Sequence, residues 1–241
     1  MTLFRYIRSN GLRVPSEYET VEVDPDGRLA GWRSVAVGAV GSFEGRLPAD
    51  RVADVRRAAD LALTAAPPAG FARPDSATET IEIDDGYAVR VEAAGEADAS
   101  WRALRDLGRR LLEVQVEFPV AAIGLDAEAG RLVHLGDHPL RIDLGGAVVE
   151  WSAVRSSGDV VGEAVEFAGA DASGRGESGG DASGSESTGT VTTGPGWTAP
   201  LPVTPAAAAA GARAEVQLWV RFTIVASGRP VPVEVSTPPV P

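Results

Sequence analysis

Two stretches of the chain alternate apolar and acidic residues and then reach an Asp/Gly turn. They cover residues 21–27 and 81–86, and each is followed by a second strand-like run, at 28–35 and 87–93. Alternation with a period of two is typical of a β-strand with one buried face, and Asp/Gly pairs favour tight turns. Each stretch therefore predicts an antiparallel β-hairpin.

Each predicted hairpin is followed by a segment with the periodicity of an amphipathic helix. Residues 48–64 carry apolar side chains three or four positions apart, and residues 99–113 repeat this pattern. The two apolar stripes are Val52, Val55, Ala59 and Leu63 in the first helix, and Trp101, Leu104, Leu107, Gly108, Leu111 and Leu112 in the second. The repeated unit predicts an α+β fold: an antiparallel sheet with two helices on one face, in a ββαββα-like order.

The remainder of the chain predicts a second, β-rich domain. Short strand-like segments lie at 121–125, 131–134, 140–143, 147–154 and 159–167. Residues 168–196 consist almost entirely of Gly, Ser, Thr, Ala, Asp and Glu, which predicts a long, flexible, disordered loop. We therefore place one domain at residues 1–113 and the second at 114–241.

The last strong pattern is a hairpin formed by residues 215–226 and 231–236, with its turn at Ser227, Gly228 and Arg229. A hairpin that follows a flexible insert predicts that the end of the chain returns to pair with the strands at 121–167. Its nearly continuous apolar residues also predict that both faces are covered, either within this domain or by another chain.

Composition excludes several kinds of chemistry. The chain has 241 residues with no Cys, and all 22 of its basic residues are Arg. Thiol nucleophiles, thiolate metal sites, disulfides and Schiff-base lysines are therefore excluded. The use of Arg alone, with abundant Ala, Gly, Pro and Val, is typical of a GC-rich bacterium such as an actinomycete, so we assign it no functional meaning.

Charge excludes two classes of partner. The net charge is −12 and the isoelectric point is near 4.7. A surface of this sign repels the phosphates of nucleic acids and of anionic membranes, so neither is an expected partner. The sequence contains no stretch of about 20 apolar residues and no pattern of a secretory signal, which favours a cytoplasmic protein.

One short segment contains residue types that bind metals. His134, Asp137 and His138 offer two imidazoles and a carboxylate, a set suited to zinc or iron(II). However, Gly136 and Pro139 oppose the helix that would place both imidazoles on one face. The segment is more simply interpreted as a hairpin loop, and a metal-binding protein or metal-dependent enzyme remains the alternative interpretation.

The first half of the chain resembles the emfourin family, whose members are small bacterial inhibitors of thermolysin-like metalloproteases. The matching features are the strand 3–8 with Ser9, Asn10 and Gly11, the turn Asp24-Pro25-Asp26-Gly27, the segment Gly45-Arg46-Leu47-Pro48, the hairpin 81–93 and the helix 101–112. Asn10 departs from the Gly expected in a Ser-Gly-Gly turn, and residues 114–241 have no counterpart. The resemblance implies a protease inhibitor that acts on a bacterial metalloprotease.

These observations together favour a non-enzymatic protein-binding module that needs no cofactor. Exposed loops on a rigid sheet are the expected contact surface. The expected partner is another protein, and the resemblance names a metalloprotease as its class.

Overall fold

The computed structural model describes residues 2–10, 14–65, 77–84, 87–92, 99–154, 160–167, 189–202 and 216–237. The strands are β1 (Phe4–Asn10), β2 (Glu17–Val23), β3 (Arg28–Arg33), β4 (Val35–Val37), β5 (Ala39–Arg46), β6 (Thr78–Ile83), β7 (Tyr87–Glu92), β8 (Pro119–Asp126), β9 (Arg131–Leu135), β10 (Leu140–Val154), β11 (Val160–Glu166), β12 (Thr190–Thr193), β13 (Thr198–Pro200), β14 (Val216–Ala226) and β15 (Arg229–Ser236). The helices are α1 (Ala49–Thr64) and α2 (Ala99–Val114), and a 3-10 turn (Gln115–Glu117) follows α2.

The protein is mostly β-sheet with two helices, an α+β-like class with antiparallel sheets, as predicted. The chain divides into two units. Unit 1 contains Met1–Arg33 and Ser42–Pro119, and unit 2 contains Ser34–Gly41 and Val120–Pro241. This division differs from the predicted boundary between residues 113 and 114, because unit 2 also takes a short segment from early in the chain.

The sheet of unit 1 has the strand order β5-β3-β2-β1-β6-β7. Both predicted hairpins are present as the antiparallel pairs β2–β3 and β6–β7. Gly27 closes the first of them with φ of 88°, a left-handed conformation that favours glycine. Four strands of this unit precede α1, so the strict ββαββα order is not confirmed.

Both helices of unit 1 pack on the face of the sheet that carries Phe4, Tyr6, Val21 and Ile81. The buried residues of the helices follow the predicted stripes, with one change in α1, where Ala62 is buried and Leu63 is 41% exposed. The buried members of the two helices are Val52, Val55, Ala59, Ala62, Trp101, Leu104, Leu111 and Leu112. The apolar core of unit 1 therefore lies between the sheet and the two helices.

Unit 2 contains two groups of strands. The first group has the strand order β13-β9-β8. Gly41 of β5 lies against the backbone of Ala121 and Ala122 in β8. In the second, the order is β11-β10-β14-β15-β4, and β12 also pairs with β10. The predicted strands 140–143 and 147–154 are one long strand, β10, whose pairing with β14 shifts in register between Asp143 and Val148.

The C-terminal hairpin forms as predicted and pairs with β10. Ser227 and Gly228, with φ values of 50° and 76°, form its turn. Burial alternates along β14, so one face is buried and the other is partly covered. Leu218, Val220, Phe222 and Ile224 are buried, whereas the side chains on the other face, including Trp219, are half-buried.

The early segment of unit 2 joins this sheet through β4. β4 pairs in parallel with β15, and Val35 lies opposite Glu234. Two further backbone bonds extend the pairing, from Glu234 N to Ser34 O and from Gly38 N to Ser236 O, each 2.8 Å long. β4 is only three residues long and borders the sheet at this edge.

The predicted disordered loop at 168–196 needs correction at its C-terminal end. Residues 168–188 lie outside the described residues. Residues 189–196 are described, and they include β12, which pairs with the first part of β10. The run Thr190-Val191-Thr192-Thr193 is rich in β-branched residues, which favour a strand, and Thr193 is only 1% exposed.

Candidate functional site

A concave surface of unit 1 lies between its two helices. The Glu44 amide donates a hydrogen bond to the carbonyl of Phe118, and the ring of Phe118 packs directly on Gly45. The end of α2 therefore lies beside the end of β5, from which the chain passes straight into α1. The two helices are consequently antiparallel, with the start of α1 next to the end of α2.

The space between them is an open groove with a volume of about 730 Å³. We call it the helix groove. It is lined by Arg46, Leu47, Pro48, Arg51, Asp54, Val55 and Ala58 on the α1 side, and by Ala103, Leu107, Arg110, Leu111, Glu113, Val114, Glu117 and Phe118 on the α2 side. Its floor is apolar, and every one of its charged residues is exposed at the rim.

The rim charges have opposite signs at the end of the groove where α1 begins. Arg46 and Arg51 lie on the α1 side, and Glu113 and Glu117 lie on the α2 side. Arg46 donates hydrogen bonds to the carbonyl and carboxylate oxygens of Asp26. Within the described residues, Arg51, Glu113 and Glu117 form no ion pair, so the two rims do not close the groove by pairing with each other.

The helix dipoles reinforce this arrangement. The N-terminus of a helix carries a partial positive charge, and the C-terminus carries a partial negative charge. Pro48 caps α1 without a side-chain hydrogen bond, so the first amides of α1 add positive potential beside Arg51. The last carbonyls of α2 add negative potential on the opposite rim.

A polar network centred on the buried Glu79 attaches α2 to the sheet. The Tyr6 hydroxyl donates a hydrogen bond to Glu79 Oε1 at 2.5 Å, and Arg109 of α2 donates from Nε to the same oxygen at 2.8 Å. Burial, together with the hydrogen bond to Glu79, raises the pKa of Tyr6 well above its ordinary value. Tyr6 is therefore a neutral hydrogen-bond donor at every physiological pH, and its role here is structural.

In unit 2, the residues predicted as metal ligands do not assemble around one point. His134 lies in β9 and is only 8% exposed, whereas Asp137 and His138 lie in the following loop with exposed side chains. Across the described ranges, no three side chains of His, Asp or Glu come together in a group that could hold a metal ion.

His134 instead takes part in a buried hydrogen-bond chain. The hydroxyl of Thr193 donates to the carbonyl of Leu140 at 3.0 Å and lies 2.9 Å from Nδ1 of His134. A hydroxyl has one proton to donate, so it accepts from His134, and Nδ1 carries the proton of the neutral imidazole. The chain connects β9, β12 and β10, which is a structural role.

Burial also sets the charge state of His134. It lowers the pKa of the imidazole, although the backbone carbonyls of His138 and Gly136 partly oppose this effect. Nε2 is buried and has no hydrogen-bond partner among the described residues. His134 is therefore neutral in the folded protein at pH 7.

Sequence analysis did not identify the helix groove. Leu107 and Leu111 were assigned to the core stripe of α2, yet Leu107 is only partly buried and lines the groove with Val114. One signal was present in the sequence: Ala103, Leu107 and Val114 extend the apolar part of α2 beyond the width of a single core stripe.

No described helix is long and apolar enough to cross a membrane. No protein-family model, no curated protein and no solved structure matches the chain.

Proposed function

We propose that the protein is a non-enzymatic protein-binding module and that it receives a segment of its partner in the helix groove. The observation that carries this proposal is an apolar floor that remains open to water between two helices fixed on a sheet. Pockets with apolar floors and a few polar groups at the rim are typical binding sites.

The floor offers enough apolar surface to support binding. Leu107, Val114 and Phe118 are partly buried, and their exposed surface lies along the groove. Complete burial of a large apolar side chain stabilises a complex by roughly 1.5–3 kcal/mol relative to exposure. Leu107, Val114 and Phe118 are already partly buried, so a partner that covers them gains a part of this amount from each one.

The groove is also positioned rigidly, which favours recognition over nonspecific contact. α2 is held to the sheet by the bonds of Arg109 and Tyr6 to Glu79, and the end of α2 is held by Phe118 on Gly45. A surface that is already ordered loses less conformational entropy when a partner binds.

The resemblance to emfourins favours a thermolysin-like metalloprotease as the partner. The finer proposal is therefore that unit 1 inhibits a bacterial protease of this class. The full chain is titrated into a thermolysin-like metalloprotease encoded in the same genome, and peptidase activity is followed with a peptide substrate. The expected result is stoichiometric inhibition at micromolar concentrations or below.

A matched pair of variants tests the groove. Ala103 is exposed and lines the groove, and Ala53 is exposed on α1 outside it. Ala103→Arg is expected to weaken binding about 10-fold or more by filling the groove, whereas Ala53→Arg leaves binding unchanged. Equal binding by both variants would show that the contact lies elsewhere. Absence of any inhibition would exclude the protease as the partner, and the general binding role would then be tested with other proteins.

A further inference from the structure

We infer that the helix groove accepts an amphipathic helix of the partner, with acidic residues on one flank of its apolar stripe and basic residues on the other. This inference rests on the proposed function, because it names the class of segment that occupies the same groove.

The walls of the groove favour a helical occupant. The lining of α1 runs from Pro48 to Ala58, and that of α2 runs from Ala103 to Val114. At 1.5 Å per residue, each wall is roughly 15 Å long, or about three helical turns. Two antiparallel helices present a pair of parallel ridges, and a third helix can pack between them with apolar residues at i, i+3, i+4 and i+7.

The rim charges define the flanks of that helix. At the end where α1 begins, the flank facing α1 meets the unpaired Arg51 and a helix N-terminus, together with Arg46, whose charge is already paired with Asp26. The flank facing Glu113 and Glu117 meets two carboxylates and a helix C-terminus. An acidic first flank and a basic second flank match both rims, whereas a helix with one sign of charge is repelled by one of them.

Two further rim charges have the reverse polarity and lie nearer the middle of the groove. Asp54 lies on the α1 side, between Pro48 and Ala58, and Arg110 lies on the α2 side, three residues before Glu113. Asp54 is already paired with Arg57 at 2.8 Å, whereas Arg110 forms no ion pair within the described residues. The selection for mixed flanks therefore comes from the end that contains Arg51 and Glu117.

Synthetic peptides test the inference directly. Four capped, helix-forming peptides of about 14 residues, long enough for the roughly three turns of the groove, are titrated into the full chain and followed by fluorescence anisotropy. Three share one leucine stripe and differ in their flanks, which are acidic and basic, acidic only, or basic only. The fourth has the mixed flanks and a scrambled stripe.

The mixed-flank peptide is expected to bind about 10-fold more tightly than either single-sign peptide, and the scrambled peptide is expected to bind least. Circular dichroism is expected to show added helical signal on binding. Binding without added helicity would overturn the helical occupant in favour of an extended one, and equal binding of the three flank types would overturn the charge assignment.

Charge variants of the protein provide the second arm. Arg51→Glu is expected to weaken binding of the mixed-flank peptide several-fold. Arg51→Glu combined with Glu117→Arg is expected to remove the advantage of this peptide over the single-sign peptides, because each rim at this end then carries one charge of each sign. Arg56, exposed on α1 outside the groove, supplies the control Arg56→Glu. The inference would be overturned if Arg56→Glu lost as much affinity for the mixed-flank peptide as Arg51→Glu, or if Arg51→Glu lost none.

This experiment separates the two proposals. If Ala103→Arg abolishes binding of the protein partner while the peptides show no preference for mixed flanks, the proposed function stands and the inference fails. If Ala103→Arg affects neither the partner nor the mixed-flank peptide, the groove is not the binding site and both fail.

Discussion

Gly108 of α2 lies directly over the aromatic ring of Tyr6 in β1, and an ideal Cβ built on this glycine would stand 2.5 Å from the ring carbon Cγ. Glycine inside a helix is less favourable than alanine by about 1 kcal/mol. The close approach explains its presence, because only a residue without Cβ lets the ring contact the helix backbone. Gly108 and Tyr6 therefore set the spacing between α2 and the sheet, and with it the shape of the helix groove.

Gly108→Ala is expected to lower the free energy of unfolding by about 1–3 kcal/mol, despite the gain in helix propensity, because Tyr6 must move. Urea denaturation of the full chain measures the change. Gly194→Ala is the matched control, since no atom lies within 4 Å of a Cβ placed there. A neutral or stabilising effect of Gly108→Ala would show that α2 can shift freely on the sheet.

Tyr6→Phe is expected to lower the free energy of unfolding by about 1–3 kcal/mol, because it removes a buried hydrogen bond to the side chain of Glu79. Tyr18→Phe provides the comparison, because Tyr18 is 43% exposed, and a change within about 0.5 kcal/mol is expected there. Similar losses in the two variants would contradict the structural role of the Tyr6–Glu79 bond.

Thr193→Val is expected to destabilise the protein by about 1–3 kcal/mol, because the Leu140 carbonyl loses its donor and the buried His134 Nδ1–H loses its acceptor. The matched control is Thr192→Val on the same strand, where the side chain is exposed. Thermal or urea unfolding distinguishes the two. Equal stability would mean that β12 adds nothing to unit 2 through this bond.

The lowered pKa of His134 predicts that the protein loses stability in mild acid. Its pKa in the folded protein is lowered from the ordinary value of 6.5 by burial. Below pH 6.5 the unfolded chain therefore binds a proton that the folded chain resists, and the free energy of unfolding falls as the pH decreases toward the folded pKa. Above pH 6.5 the contribution of the neutral, buried His134 to the free energy of unfolding is fully present.

The measurement is urea denaturation from pH 8 to pH 5. His134→Gln is expected to remove a part of the pH dependence, with a slope of at most about 1.4 kcal/mol per pH unit. His138→Gln is the control, because His138 is exposed in the adjacent loop. A wild-type slope that matches the His134→Gln slope would contradict the prediction.

Truncation after Arg213 is expected to make the protein insoluble, because it removes β14 and β15 from the middle of the larger sheet of unit 2. β10 would then lose the partner that pairs with it from Ile142 to Ala153, and exposed strand edges with apolar faces aggregate. The fraction of soluble protein after expression measures the effect. A soluble fragment 1–213 with a cooperative unfolding transition would refute the prediction.

The elements that sequence analysis predicted correctly are those whose signals are local. The turn at Asp24–Gly27 and the turn at Ser227–Gly228 each specify a hairpin within a few residues, and the helical stripes likewise repeat within one element. β4 was not identified as a separate strand, because three residues carry little pattern and its partner, β15, lies near the other end of the chain. β12 was missed because Gly and Ser dominate the residues before it.

The candidate site was harder to predict for a different reason. Whether Leu107 is fully buried or lines a groove depends on how α2 is positioned on the sheet, which is set by contacts such as those of Phe118 on Gly45 and Tyr6 under Gly108. Such contacts join distant parts of the chain. His134 was placed at the end of the strand 131–134, beside a loop with possible metal ligands, and nothing near it in the sequence indicates Thr193 as its partner.

The pairing of β4 with β15 has a consequence for the order of folding during synthesis. All residues of unit 1 have been made once translation passes Pro119, and domains generally fold as they emerge. Val35–Val37 are made early but have no partner strand until translation has passed Ser236. All residues of unit 1 are therefore synthesised while β4 still lacks its partner strand β15. This edge of the unit 2 sheet can form only after β15 has been synthesised.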